Sequence, residues 1–158
     1  MTSPYVLIDN NLTAYFSEEV GVSELAGKVV YIAGPITGME QQAISVFGNA
    51  CRYLQNHYQA IVLNPALLPK GLKSHQSYMN ICLPMVREAE VIVFLPGWRQ
   101  SVGAGMEYDE ATAIGIPMFE MSFPNETSPG ESDFRTGIKL HRLCSGKGTN
   151  GHRKYSAA

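Results

Sequence analysis

Apolar positions in the middle of this chain fall into two kinds of run. Short, mostly apolar stretches, Val29-Val30-Tyr31-Ile32-Ala33, Ala60–Leu63, Val91–Leu95 and Pro117–Met121, predict strands, the most apolar of them covered on both faces. Between them the spacing becomes helical. Ile44, Phe47, Cys51, Leu54 and Tyr58 recur every three or four residues and predict an amphipathic helix over 41–58. A second helix is expected from Gln76 to Glu88, with Pro84 either kinking it or marking its start. A third spans Gly103–Ile114 and stops at Gly115-Ile116-Pro117. Strands alternating with helices at this spacing imply right-handed βαβ units, and so an α/β fold with a mostly parallel sheet.

The regular pattern covers residues 29–121, which read as one domain. Residues 1–28 are a weakly patterned lead-in, where Tyr5–Ile8 suits a short strand and Glu18–Leu25 a short helix. In 122–158, Pro124, Asn125, Ser128, Pro129 and Gly130 mark a loop, and Asp133–Leu143 is expected to add a strand or short helix. No internal repeat is present.

Composition narrows the class. With 158 residues, 45% hydrophobic and 16% charged, the chain can bury a real core as an ordinary globular protein. No apolar run reaches the roughly 20 residues of a membrane span. The start, Met1-Thr2-Ser3-Pro4-Tyr5, lacks a basic region ahead of an apolar stretch, so a cytoplasmic location without a membrane partner is expected. Cys51, Cys82 and Cys144 are widely spaced with no C-x-x-C pair, which suits reduced thiols and no bound metal. Charge is uneven. Residues 135–158 carry six basic side chains and no acid, whereas the first 134 hold six basic and fourteen acidic ones. A solvated basic terminus is the favoured reading of that tail, ahead of contact with nucleic acid or phosphate.

Chemistry concentrates where strands run into glycines. Ser101-Val102-Gly103-Ala104-Gly105-Met106-Glu107 follows the third strand, and Gly34-Pro35-Ile36-Thr37-Gly38 follows the first. Both turns fall at the C-terminal ends of strands, where open α/β sheets bind ligands. Ser101, Gly103 and Gly105 can present N–H groups and a hydroxyl to an anion such as phosphate. The alternative is an ordinary βα loop. The turn is no dinucleotide fingerprint, because Tyr108 stands in place of the third glycine, and Gly34–Gly38 is no Walker loop, because no Lys-Ser/Thr pair follows. Glu107 is expected in the first turn of its helix, where dipole and free N–H groups favour the charged form. That suits a nucleophile or an electrostatic stabiliser better than a general acid; the alternative is a capping glutamate. Tyr31 shares a strand face with Ala33, Asn64 either meets a ligand or turns the chain before Pro65, and Trp98 offers a flat wall for a base. Glu88 and Glu90 lie at the N-terminal end of the third strand, away from such a site. His57 and His75 have no metal spacing and are expected on the surface.

Taken together, Tyr31-Ile32-Ala33-Gly34-Pro35-Ile36-Thr37-Gly38, Asn64-Pro65-Ala66, Phe94-Leu95-Pro96-Gly97-Trp98 and Ser101-x-Gly103-Ala104-x-x-Glu107-x-x-x-Ala111-x-x-x-Gly115-Ile116-Pro117 resemble the nucleoside 2-deoxyribosyltransferase superfamily. The likeness extends to its nucleoside 5′-monophosphate N-glycosidase branch and to small phage-type members, and covers about residues 29–121. It implies a flavodoxin-like three-layer sandwich and a nucleoside or nucleotide substrate, with no cofactor and a homo-oligomeric assembly. It also implies that Glu107 attacks the anomeric carbon to form a glycosyl ester, that Tyr31 orients it, and that Ser101 helps hold a 5′-phosphate. Three positions depart from the family pattern. Glu90 and Gln100 replace residues that are often acidic in relatives (aspartate in the first case), and Thr37 replaces a basic one. The resemblance does not identify the group that protonates the leaving base.

Overall fold

The computed structural model describes residues 20–123 and 137–143. The expected strand at Tyr5–Ile8, Cys144 and the basic segment after residue 143 lie outside the described residues. Five strands, β1 (Val29–Ala33), β2 (Ile61–Leu63), β3 (Val91–Phe94), β4 (Met118–Ser122) and β5 (Lys139–Leu143), form one sheet in the order β2-β1-β3-β4-β5. Strands β1 to β4 are parallel, and β5 adds to β4 antiparallel, Glu120 opposite His141. This order is that of flavodoxin-like sheets. The strand expected within Asp133–Leu143 is thus β5, an edge strand.

Among the described residues, four α-helices cover the sheet: α1 (Val22–Leu25), α2 (Glu40–Tyr58), α3 (His75–Glu88) and α4 (Val102–Ile114). Strand alternation divides the core in two. Val30, Ile32, Val91, Val93 and Phe119 face α1 and α2, packing on Leu25, Phe47 and Leu54. Tyr31, Ala33, Ile92, Phe94 and Met118 face α3 and α4, packing on Met79, Val86 and Ala111. Every residue of β3 is buried, as its uncharged sequence requires of a strand covered on both sides.

Local chemistry sets the helix ends. Ser74 accepts the Ser77 N–H at 3.1 Å and begins α3, so Pro84 marks no start and lies inside the helix. Ser101 caps α4 by accepting the Ala104 N–H at 3.2 Å, and Gly115 ends it at φ 75°, a conformation that favours glycine. Glu90 holds the opposite end of the sheet, its carboxylate accepting the Val29 N–H at 2.8 Å. Gly34 leaves β1 so closely packed that a Cβ there would stand 3.1 Å from the Leu95 Cβ.

Candidate active site

A cavity of about 290 Å³ opens at the C-terminal ends of β1 and β2, beyond β3 and beside the N-termini of α3 and α4. That is where the crossovers change direction between β1 and β3, the usual ligand position in such sheets. The β1–α2 turn contributes Gly34, Ile36 and Thr37, and α4 with its cap contributes Ser101, Gly103, Ala104 and Glu107. From α3 come His75, Tyr78, Met79 and Cys82, spaced so that one helical face looks into the cavity.

Glu107 is the chemical centre. It is the sole buried charged side chain among the described residues, only 5% exposed. The Tyr31 hydroxyl donates to its Oε1 at 2.6 Å from the floor of the sheet. One expectation needs correcting here. With Ser101 as the cap, Glu107 is the sixth residue of α4 and sits in its second turn, and the first turn holds no acid. The helix dipole fades within that first turn, so burial decides the charge state. Loss of water pushes the Glu107 carboxyl up to about 8, against the opposing pull of the Tyr31 hydroxyl. The charged form is therefore costly and leans on that phenol. Burial and the neighbouring Glu107 hold the Tyr31 hydroxyl well above its ordinary value, so it remains a donor. Cys82 stands in the same cluster and is pushed up to about 11 by burial, which keeps it a neutral thiol.

The structure brings Gly34, Ile36, Thr37, Ser101, Gly103 and Glu107 onto one wall, with Tyr31 directly behind Glu107. Other expected ligand contacts lie elsewhere. The Gly38 N–H donates to Glu40 Oε1 at 2.9 Å, and Asn64 Oδ1 accepts the Ala66 N–H at 3.0 Å, capping a 3₁₀ turn over Pro65–Leu67. Gly105 is buried within α4, its N–H bonded to the Ser101 carbonyl. Pro35 sits against Gly97, away from the cavity wall. Trp98 is the clearest difference. It is buried rather than exposed, its ring 4.4 Å from that of Phe94 and 5.2 Å from that of Tyr108. It packs the far side of α4 and does not line the cavity.

Several polar wall residues were missed in the sequence, among them Glu40, Lys70, Ser74, His75, Tyr78 and Cys82. His75 is exposed, as expected, yet stands at the cavity mouth against Gly103. Its signal was the spacing His75-x-x-x-Met79-x-x-Cys82, which puts a polar group on the apolar face of α3. Lys70 gave no signal, because the loop that carries it has no period.

A family model described as a domain of unknown function, DUF4406, matches residues 28–120. The chain belongs to this family. No curated protein matches the chain. Among solved structures, this DUF4406 protein is similar to a 2-desoxiribosyltransferase from Leishmania mexicana, at 19% identity and a TM-score of 0.46, over 72% of this chain and 78% of that one.

Proposed function

We propose that this DUF4406 protein breaks the N-glycosidic bond of a (deoxy)nucleoside 5′-monophosphate, with Glu107 as the nucleophile. The observation that carries this reading is the buried Glu107 carboxylate on the cavity wall, held at one oxygen by Tyr31. With Oε1 fixed by the phenol, the second oxygen is the one left to attack. An anionic carboxylate in a dry site stabilises the positive charge that grows on the sugar as the base departs. Attack at the anomeric carbon forms a glycosyl–Glu107 ester and releases the base. Water then cleaves the ester and regenerates the carboxylate, the two-step course of retaining glycosidases.

The α4 N-terminus supports a phosphate-bearing substrate. The Val102 and Gly103 N–H groups have no carbonyl to bond within the helix, and the Ser101 hydroxyl, already accepting from Ala104, still has its proton to donate. Of these donors, the Gly103 N–H and the Ser101 hydroxyl belong to residues lining the same cavity as Glu107 and suit a phosphate.

The test is a chromatographic screen for free base. Protein is incubated with each ribo- and deoxyribonucleoside and its 5′-monophosphate, with and without an acceptor base, alongside Glu107→Ala. Base released from a monophosphate without acceptor, and lost in Glu107→Ala by roughly 10²-fold or more, is the expected result. Exchange only with an acceptor would make the protein a deoxyribosyltransferase. Retention of more than about a tenth of the rate in Glu107→Ala would overturn the nucleophile, well short of the effects usual for catalytic groups. No turnover, with an intact ligand bound, would leave a binding module.

A further inference from the structure

The leaving base must receive a proton, and the cavity wall limits what can give it. Glu40 is fully exposed, and bonding to the Gly38 N–H holds its carboxyl below the ordinary value, so it has no proton to offer. The Tyr78 hydroxyl is engaged on both sides, donating to the Pro69 carbonyl at 3.0 Å and accepting the Leu72 N–H at 3.3 Å. The Cys82 thiol, at about 11, is a weak acid near neutrality, as alkylammonium groups are in general. Glu107 is taken up in bonding to the sugar. His75 is what remains, and imidazole is the side chain suited to taking and giving protons near neutral pH.

Position agrees with this elimination. A Cβ at Gly103 would stand 3.3 Å from His75 Nε2 and 3.4 Å from Met79 Sδ, so the imidazole rests against α4 where Gly103 has no side chain. Gly103 and Glu107 are four residues apart on one helical face, roughly 5–6 Å between Cβ positions. We propose that His75 is the general acid and base of the reaction, reaching the leaving base from the cavity mouth one helical turn from Glu107.

The steps balance. As the bond between the anomeric carbon and the base nitrogen breaks, its electron pair goes to the base, which takes the imidazolium proton of His75, while Glu107 bonds to the carbon. In the second step neutral His75 takes a proton from water, the water oxygen bonds to the anomeric carbon, and the Glu107 ester opens. His75 is exposed, so it can exchange protons with solvent between turnovers. This inference rests on the proposed role of Glu107.

The test compares two leaving groups in the full-length protein. Guanosine 5′-monophosphate (or the best monophosphate of the screen) needs a proton on its base, whereas its 7-methylated purine counterpart leaves neutral without one. His75→Gln is expected to lower kcat on the first by roughly 10²-fold or more and to leave the second within a few-fold. In His75→Ala, free imidazole is expected to restore part of the lost rate. Equal loss on both substrates with no rescue by imidazole would overturn the assignment. So would a raised KM for monophosphates at unchanged kcat, which would make His75 a phosphate contact. Because Ser74, not His75, caps α3, both variants are expected to fold, which circular dichroism checks. Base release by wild type with no effect of either variant sinks His75 alone. Absence of base release from every substrate by wild type sinks the functional reading and this inference together.

Discussion

The Tyr31 hydroxyl lies 2.6 Å from Glu107 Oε1, joining the floor of the first strand to the second turn of the last helix across 76 positions of sequence. This bond opposes burial. Desolvation drives the Glu107 carboxyl towards its neutral form, and Tyr31 draws it back towards the anion. How readily the carboxylate forms is thus set by one phenol.

A pH profile follows. A nucleophilic Glu107 must be ionised, so on the 7-methylated substrate, which needs no proton from His75, kcat/KM is expected to rise with pH and level off above about 8. Tyr31→Phe keeps the ring and removes the donor. A hydrogen bond to a charged group contributes about 1.5–3 kcal/mol, so the rising limb should move up by roughly 1–2 pH units. A profile on that substrate that falls through pH 8 would mean that Glu107 works as an acid and would sink its role as nucleophile.

Stability should carry the same signature with a defined sign. The folded state holds the Glu107 proton more tightly than the unfolded chain, whose carboxyl keeps the ordinary value of 4.5. Below about pH 4.5 both states are protonated and burial costs nothing extra. Between there and about 8 the unfolded chain gains by ionising, so folding stability falls, by an amount on the order of 5 kcal/mol at full ionisation. Glu107→Gln removes that slope while keeping an oxygen for Tyr31. Denaturant unfolding of both proteins at pH 5, 7 and 9 should show the variant gaining most at pH 9. Parallel pH dependences would show that Glu107 is not held neutral.

The order of strands and helices was legible because β1, β2 and β3 are uncharged runs and α2 repeats at helical spacing. Ends were less so. The helix expected over Gln76–Glu88 begins at His75, and of the two roles open to Pro84, a kink or a start, the Ser74 cap removes the second. Glu107 was found from the glycines before it, yet its charge state was misjudged. Counted from the expected start at Gly103 it is already the fifth residue, and from Val102 the sixth, so it lies past the first turn either way and burial decides. Trp98 misled for a related reason. Its place just after Gly97 suggested a wall for a base, whereas Phe94 and Tyr108, which enclose the ring, come from different elements.

Gly103→Ala separates function from stability. Inside a helix, alanine is favoured over glycine by up to about 1 kcal/mol. The added methyl meets only the tip of exposed His75 and the flexible end of Met79. Thermal stability is therefore expected to change by no more than about 1 kcal/mol, in either direction, while kcat/KM falls at least tenfold as the methyl enters the cavity and displaces the imidazole. Unchanged activity in a folded Gly103→Ala protein would show that this wall of the cavity is not used.

Glu90 provides the opposite case. Its carboxylate accepts the Val29 N–H at 2.8 Å, and its own N–H donates to the Val29 carbonyl at 2.8 Å, so it ties the starts of β1 and β3 together. The cavity lies past the other end of β1, four residues on at about 3.3 Å each, or roughly 13 Å away. Glu90→Ala frees an exposed backbone donor that water can partly satisfy, and should cost about 0.5–1.5 kcal/mol of stability. Its kcat and KM, measured per folded molecule, should match wild type. A drop in kcat beyond about threefold with the fold intact would place Glu90 in the chemistry and contradict the geometry of the sheet.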